Sequence, residues 1–182
     1  MGRGGLISRP GSSPRRDRGG AEGAEGDLAM TERDRLNEIT GKIIGAAIAV
    51  HRVLGPGLLE SAYEACLADE LVRRGLAVER QCSCPVVFAG RRIGRAYRID
   101  LRVERLVPVE VKAVAYVPAV QQSKLLSYMK LTDCRVGLLI NFHVRRLVDG
   151  VQRLVNGFPG EILSGVPGRV SPCDTPPGDS QR

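Results

Sequence analysis

Asp100-Leu101-Arg102-Val103-Glu104-Arg105-Leu106-Val107-Pro108-Val109-Glu110-Val111-Lys112 is the stretch that decides the fold. Valines recur at 107, 109 and 111, which reads as a strand with one apolar face. Residues i and i+2 of a strand share a face, so Glu110 and Lys112 point away from those valines. Opposed residues of an antiparallel hairpin also share a face. If Val103 opposes Val107, then Glu104-Arg105-Leu106 is a three-residue loop and Asp100 stands opposite Glu110. A two-residue loop would put the two acids on opposite faces unless a bulge intervened. In the first register two carboxylates and an ammonium converge. Such a set suits a hard divalent cation that faces a phosphate. The competing reading is an amphipathic hairpin whose charges simply face solvent.

Working outward, the apolar period predicts a helix over 31–53, with Thr31 as N-cap and Glu32 and Asp34 in the first turn. Leu54-Gly55-Pro56-Gly57 breaks it. A second helix is expected over 58–74, closed by Gly75. Strands follow over 77–87, interrupted or ended near Pro85, then 93–103 and 107–114. Pro108 cannot donate to a ladder, so the third strand begins there or carries one open position. A third helix is expected over 119–131, a buried strand over 135–142, and a short strand or helical turn over 145–155. The order α-α-β-β-β-α-β with a further short element predicts a three-layer α/β or α+β domain.

The 182 residues allow one domain with tails, and 43% apolar content supports one sizeable core. Residues 1–29 are rich in Gly, Arg, Ser and Pro, and disorder is expected there, with Met30 a candidate initiator. A loose Pro/Gly-rich tail is expected over 159–182, leaving 30–158 as the working domain. A net charge of +7, spread along the chain, favours a polyanionic partner weakly. No Trp, three Phe and four Tyr argue against a stacking platform for single strands. Five cysteines with one Cys-x-Cys pair speak against a disulfide framework or a structural zinc site, and point to reduced thiols in a cytoplasm. The longest apolar run, Ile43 to Val50, is too short to span a bilayer.

Other candidate site residues sit on the helices. Glu60 opens the second helix and shares its surface with Tyr63 and Glu64; its plain alternative is a charge that complements the helix dipole. Gln121, Lys124 and Tyr128 follow i, i+3, i+7 on the third helix and could touch a nucleic-acid backbone, or could form a solvated face. His51 and His143 are isolated and read as structural. Cys82 and Cys84 read as small buried residues on one strand face.

Gly57-Leu58-Leu59-Glu60-Ser61-Ala62-Tyr63 resembles the signature of the GxxExxY protein family, which is assigned to the PD-(D/E)XK nuclease-like superfamily. Val50-His51, Leu54-Gly55-Pro56-Gly57, Tyr97-Arg98-Ile99-Asp100-Leu101, Val109-Glu110-Val111-Lys112-Ala113 and Gly137-Leu138-Leu139-Ile140-Asn141-Phe142 extend the resemblance. It implies a restriction-endonuclease-like core, a mixed β-sheet flanked by helices. It also implies that Asp100 and Glu110 bind Mg²⁺ or Mn²⁺, that Lys112 is the catalytic lysine, and that Glu60 is the first-helix acid. The implied activity is metal-dependent hydrolysis of phosphodiester bonds of nucleic acid, with DNA the expected partner and RNA the alternative. The alternative is a non-catalytic nucleic-acid- or protein-binding member of the fold. Lys124 stands where glutamine is expected, and a cation there could bind phosphate or compete with the metal.

Overall fold

The structure, a computed structural model, describes Met1 and residues 30–157. The expected tails, 1–29 and 159–182, lie outside the described residues apart from Met1. Helix α1 spans Glu32–Leu54 and α2 spans Glu60–Arg73. Strands β1 (Val78–Phe88), β2 (Arg91–Val103) and β3 (Val107–Lys112) follow. Helix α3 (Ala119–Thr132), strand β4 (Val136–Asn141), a short 3-10 turn (Leu147–Gly150) and strand β5 (Val151–Val155) complete the domain. The last segment is thus both a helical turn and a strand.

The local signals act as expected. The Thr31 hydroxyl accepts the Asp34 N–H while Asp34 reaches back to the Thr31 N–H, a reciprocal cap that starts α1. Gly55 at φ 65° ends it. Apolar residues at helical spacing (Leu36, Ile39, Ile43, Ala46, Ala47 and Val50) are buried against the sheet. They give the helix its packing energy, at roughly 25 cal/mol per Å² of apolar surface removed from water.

The five strands run in sequence order, β1-β2-β3-β4-β5. β3 and β4 are parallel, joined by the α3 crossover; every other neighbour pair is antiparallel. Helices α1 and α2 cover one face, packing on Leu101, Val103, Val107, Val109, Val111, Leu138 and Ile140. α3 covers the other, with Cys82, Cys84, Ile99 and Leu139 beneath Leu125, Tyr128 and Met129. β4 is buried along its whole length, which its run Val136-Gly137-Leu138-Leu139-Ile140 requires. A β-carbon at Gly137 would lie 2.7 Å from Met129 Sδ, so its missing side chain lets α3 lie close to the sheet. No helix among the described residues is long and apolar enough to cross a membrane.

Two prolines mark irregularities. Pairing jumps from Cys84↔Tyr97 to Val86↔Ile93, so Pro85 faces the three residues Gly94, Arg95 and Ala96. Lacking an N–H, Pro85 does not end β1; the partner strand bulges around it. Pro108 opposes Arg102, one residue before pairing with β4 begins at Val109.

Gly150 and Gly41 provide a contrast. A β-carbon at Gly150 would collide with the Asn141 carbonyl oxygen, whereas Gly41 has nothing within 4 Å. Gly150→Ala should therefore destabilise the domain by about 1–3 kcal/mol through forced backbone displacement. Gly41→Ala, in an exposed helix interior, should stabilise it by about 0.5–1 kcal/mol. Urea unfolding of the two variants checks both signs.

Candidate active site

The hairpin register is the one that brings the acids together. Val103 pairs with Val107 and Leu101 with Val109, and one step further stand Asp100 and Glu110. The connection combines both turn types considered. Leu106 N–H donates to the Val103 carbonyl around Glu104 and Arg105, both at positive φ, and Leu106 is the extra residue that restores the register. Beyond Leu101 the ladder stops. The Asp100 carboxylate, not a backbone carbonyl, accepts the Val111 N–H at 2.8 Å. The strands part there, and the acids stand where they part.

Alternation fails at the same point. Ile99 packs under α3, but Leu101, two residues on, packs under α1 and α2. Across from Asp100 lies Gln81, a non-glycine residue at φ 53° inside β1. This sparsely populated backbone conformation switches the faces. It turns the Gln81 amide towards α2, where Nε2 donates to Glu64 Oε2 at 2.6 Å. Arg80 Nε donates to the other Glu64 oxygen at 3.0 Å. Glu64 is thus a buried carboxylate in the wall beside Asp100. Its position four residues after Glu60 was the only sequence signal, and that spacing carries no information about burial.

Lys112 joins the elements. Its Nζ lies 2.8 Å from Glu110 Oε1, 3.0 Å from Glu60 Oε1 and 2.8 Å from the Val111 carbonyl. These acceptors match the three protons of an ammonium. Burial by itself would lower the lysine pKa; the hydrogen bonds and charges of Glu110 and Glu60 outweigh it and hold the pKa above the ordinary value. For Asp100, burial first and the Glu110 charge second push the pKa up to about 6, against the pull of the Val111 N–H and Lys112. Glu64 adds a smaller upward push.

Two anchors hold these groups in place. The Tyr63 hydroxyl donates to the Gly55 carbonyl at 2.5 Å and accepts the Leu58 N–H at 3.1 Å, while its ring stacks on Phe142 at 4.5 Å. It thereby pins the loop that leads into Glu60. Asn141 bonds both the N–H and the carbonyl of Val114, and the Phe142 N–H donates to the Lys112 carbonyl at 2.7 Å, which fixes the exit of β3. Tyr63 carries a signature position of the sequence motif, but its anchoring role depends on contacts the pattern does not contain.

A cavity of about 170 Å³ opens beside the acids, lined by Arg98, Glu110, Lys124, Tyr128 and neighbouring apolar groups. Glu110 therefore belongs to both the ion-pair cluster and the cavity. Lys124 is exposed at its mouth. Tyr128 is only 1% exposed, and it forms part of the cavity wall rather than a solvated face. Gln121 is half-buried and outside the cavity lining. His51 is buried with Nε2 2.9 Å from the Val144 carbonyl, a structural contact.

Among the described residues, no group of three His, Cys, Asp or Glu side chains gathers around a common metal position. The donor set is two carboxylates, one of them desolvated and raised by the other's charge. This fits a small hard dication, which takes one or two carboxylates and fills its remaining positions with water and phosphate oxygens.

A mixed sheet flanked by helices, with acids and a lysine on its central strands, defines a restriction-endonuclease-like α/β protein. The family model described as the PD-(D/E)XK nuclease superfamily matches residues 37–154, and the chain belongs to that superfamily. No curated protein and no solved structure matches the chain.

Asp100 has a pH signature. Its folded pKa, about 6, lies above the ordinary 3.8, so folding favours the protonated form. That contribution is complete below the ordinary value and is lost as the pH rises through about 6. Asp100→Asn stays neutral, and in EDTA at pH 8 it should exceed wild type in stability by about 1–3 kcal/mol. The advantage should vanish by about pH 4. Denaturant titrations at both pH values measure this, and equal stability at pH 8 would contradict it.

Proposed function

We propose that this chain is a Mg²⁺- or Mn²⁺-dependent nuclease of the GxxExxY type that hydrolyses phosphodiester bonds of DNA. The observation that carries the reading is Glu110. One carboxylate is paired to Lys112, stands beside the desolvated Asp100, and lines an open cavity with two cations at its wall, Arg98 and Lys124. A site that only bound phosphate would gain nothing from acids facing a polyanion.

Asp100 and Glu110 would hold the cation. When bound, such an ion polarises a phosphoryl oxygen and lowers the pKa of a coordinated water. Lys112 is an ammonium in this setting and does not accept a proton. It acts by donation, exchanging one existing partner for a phosphate oxygen. Glu60 is the partner to exchange, since its side chain is 43% exposed against 15% for Glu110. Once released, the Glu60 carboxylate can accept a hydrogen bond from water. Lys124 supplies a second positive charge for the backbone. The thiols of Cys66 and Cys134, outside any disulfide among the described residues, support a reducing compartment, the cytoplasm.

One observation favours a non-catalytic binding protein on the same fold: all three Lys112 protons are engaged within the protein. Incubation of the full chain with single-stranded, duplex and branched DNA and with RNA, in Mg²⁺ or Mn²⁺, separates the readings. Wild type should cleave DNA. Glu110→Gln should lower the rate by about 10³-fold with the fold intact and with binding equal or tighter. Lys112→Ala should lower it by about 10²–10³-fold and weaken binding too. No cleavage by wild type, or equal rates for Glu110→Gln, would transfer the assignment to the binding protein.

A further inference from the structure

Strands β1 and β2 run on beyond the rest of the sheet. β3 pairs only with Leu101, Arg102 and Val103, so the outer part of β2, 91–93 and 97–99 on either side of its bulge, pairs with β1 alone. The result is a two-stranded ribbon, closed by Ala89 and Gly90 at positive φ between the paired Phe88 and Arg91. Its base is held under α3 by Cys84, Ile99 and Tyr97. Its tip is open: Phe88 is 73% exposed, Ile93 50%, and Arg91 and Arg92 are exposed as well.

The charge of this ribbon is one-sided. Residues 30–157 contain 20 basic and 13 acidic residues; four of the basic ones, and no acid, fall in 81–99. More than half of the domain's excess positive charge is thus on one arm. The arm is also continuous with the site, because Arg98 on β2 lines the cavity that holds Glu110 and Lys124. From Arg91 to Arg98 the strand covers roughly 23 Å at about 3.3 Å per residue, the length of about seven stacked base pairs.

We propose that the β1–β2 ribbon is a docking arm for B-form duplex DNA, with Arg91 and Arg92 contacting phosphates at a distance from the cavity and Arg98 near it. Only the choice of a nucleic-acid partner rests on the nuclease reading. The duplex is favoured on shape. A two-stranded ribbon enters a major groove about 12 Å wide, whereas the deep, narrow major groove of A-form RNA excludes it. A single strand would call for a row of stacking aromatics, but Phe88 is the one aromatic at the tip and Tyr97 is packed beneath α3.

The test is fluorescence anisotropy of the full chain in EDTA, where no cleavage interferes, across a salt series. The probes are a short DNA duplex, the corresponding single strand and an RNA duplex. Arg91→Ala with Arg92→Ala should weaken binding to the DNA duplex by about 10–100-fold and reduce the salt slope by about 1–2. Arg33→Ala with Arg35→Ala, an equal loss of charge on α1 across the sheet, should change it less than about 3-fold. Thermal unfolding confirms that both variants fold. Equal losses in the two variants, or no loss in the ribbon variant, overturn the proposal. So does equal wild-type affinity for DNA duplex, single strand and RNA duplex. A ribbon variant that turns a dimer into a monomer while keeping DNA affinity also overturns it, by identifying the ribbon as a contact between copies. The nuclease reading fails separately: duplex binding that depends on the ribbon, without cleavage in Mg²⁺ or Mn²⁺, sinks the enzyme and leaves the arm.

Discussion

The Lys112 ammonium is the interaction on which the site depends. Its side chain is 12% exposed, and an ammonium so far out of water is tolerated only with its protons satisfied. Glu60 on α2, Glu110 on β3 and the Val111 carbonyl satisfy them. Because the acceptors come from different elements, the lysine fixes where α2 begins relative to β3. The supports extend from there. Tyr63 holds the loop before Glu60, and Asn141 and Phe142 hold the chain just after Lys112. The Glu60 and Glu110 carboxylates stay close to each other because one cation lies between them, and Glu110 also acts on Asp100.

The cavity exists because the sheet is interrupted. A regular ladder through Asp100 and Glu110 would have closed the strands edge to edge. Here a side-chain carboxylate replaces a backbone acceptor, and the left-handed Gln81 opposite switches the faces of β1 and β2. The same interruption frees the outer parts of those strands from β3 and creates the cationic ribbon. The acidic site and the basic arm are two consequences of one local departure from β geometry. Desolvation of Asp100 is a third, and it makes the carboxylate costly to ionise.

Much of this was legible in the chain. Helix and strand periods placed the elements from α1 to β4 to within about two residues, because long amphipathic stripes and Gly-Pro breaks carry strong local signals, whereas the short segment 145–155 was left open between strand and turn. The acid-facing register was legible only as one of two: a three-residue loop aligns Asp100 with Glu110, a two-residue loop sets them on opposite faces, and the Val103–Val107 pairing decides for the first. The site's wall was not. Glu64 is an unremarkable helix glutamate until Arg80 and Gln81 reach it from a strand 16 and 17 residues away. The spacing of Tyr128 left open whether it reaches the cleft or faces solvent; packing of α3 on the sheet buries it and puts it in the cavity wall.

The sequence by itself determined the α-α-β-β-β-α-β order, the apolar stripes of the helices and the kinds of chemistry available, and it allowed the Asp100–Glu110 alignment without requiring it. These follow from short-range periodicity and from residue types, which are local properties. The tertiary structure alone decided that Asp100 is desolvated, that Lys112 has its three protons engaged, that Tyr63 and Asn141 are anchors, and that β1 and β2 project as an arm. Those properties arise from which distant groups exclude water from one another, and solvent exclusion is set by packing across elements rather than by any residue's neighbours in the chain.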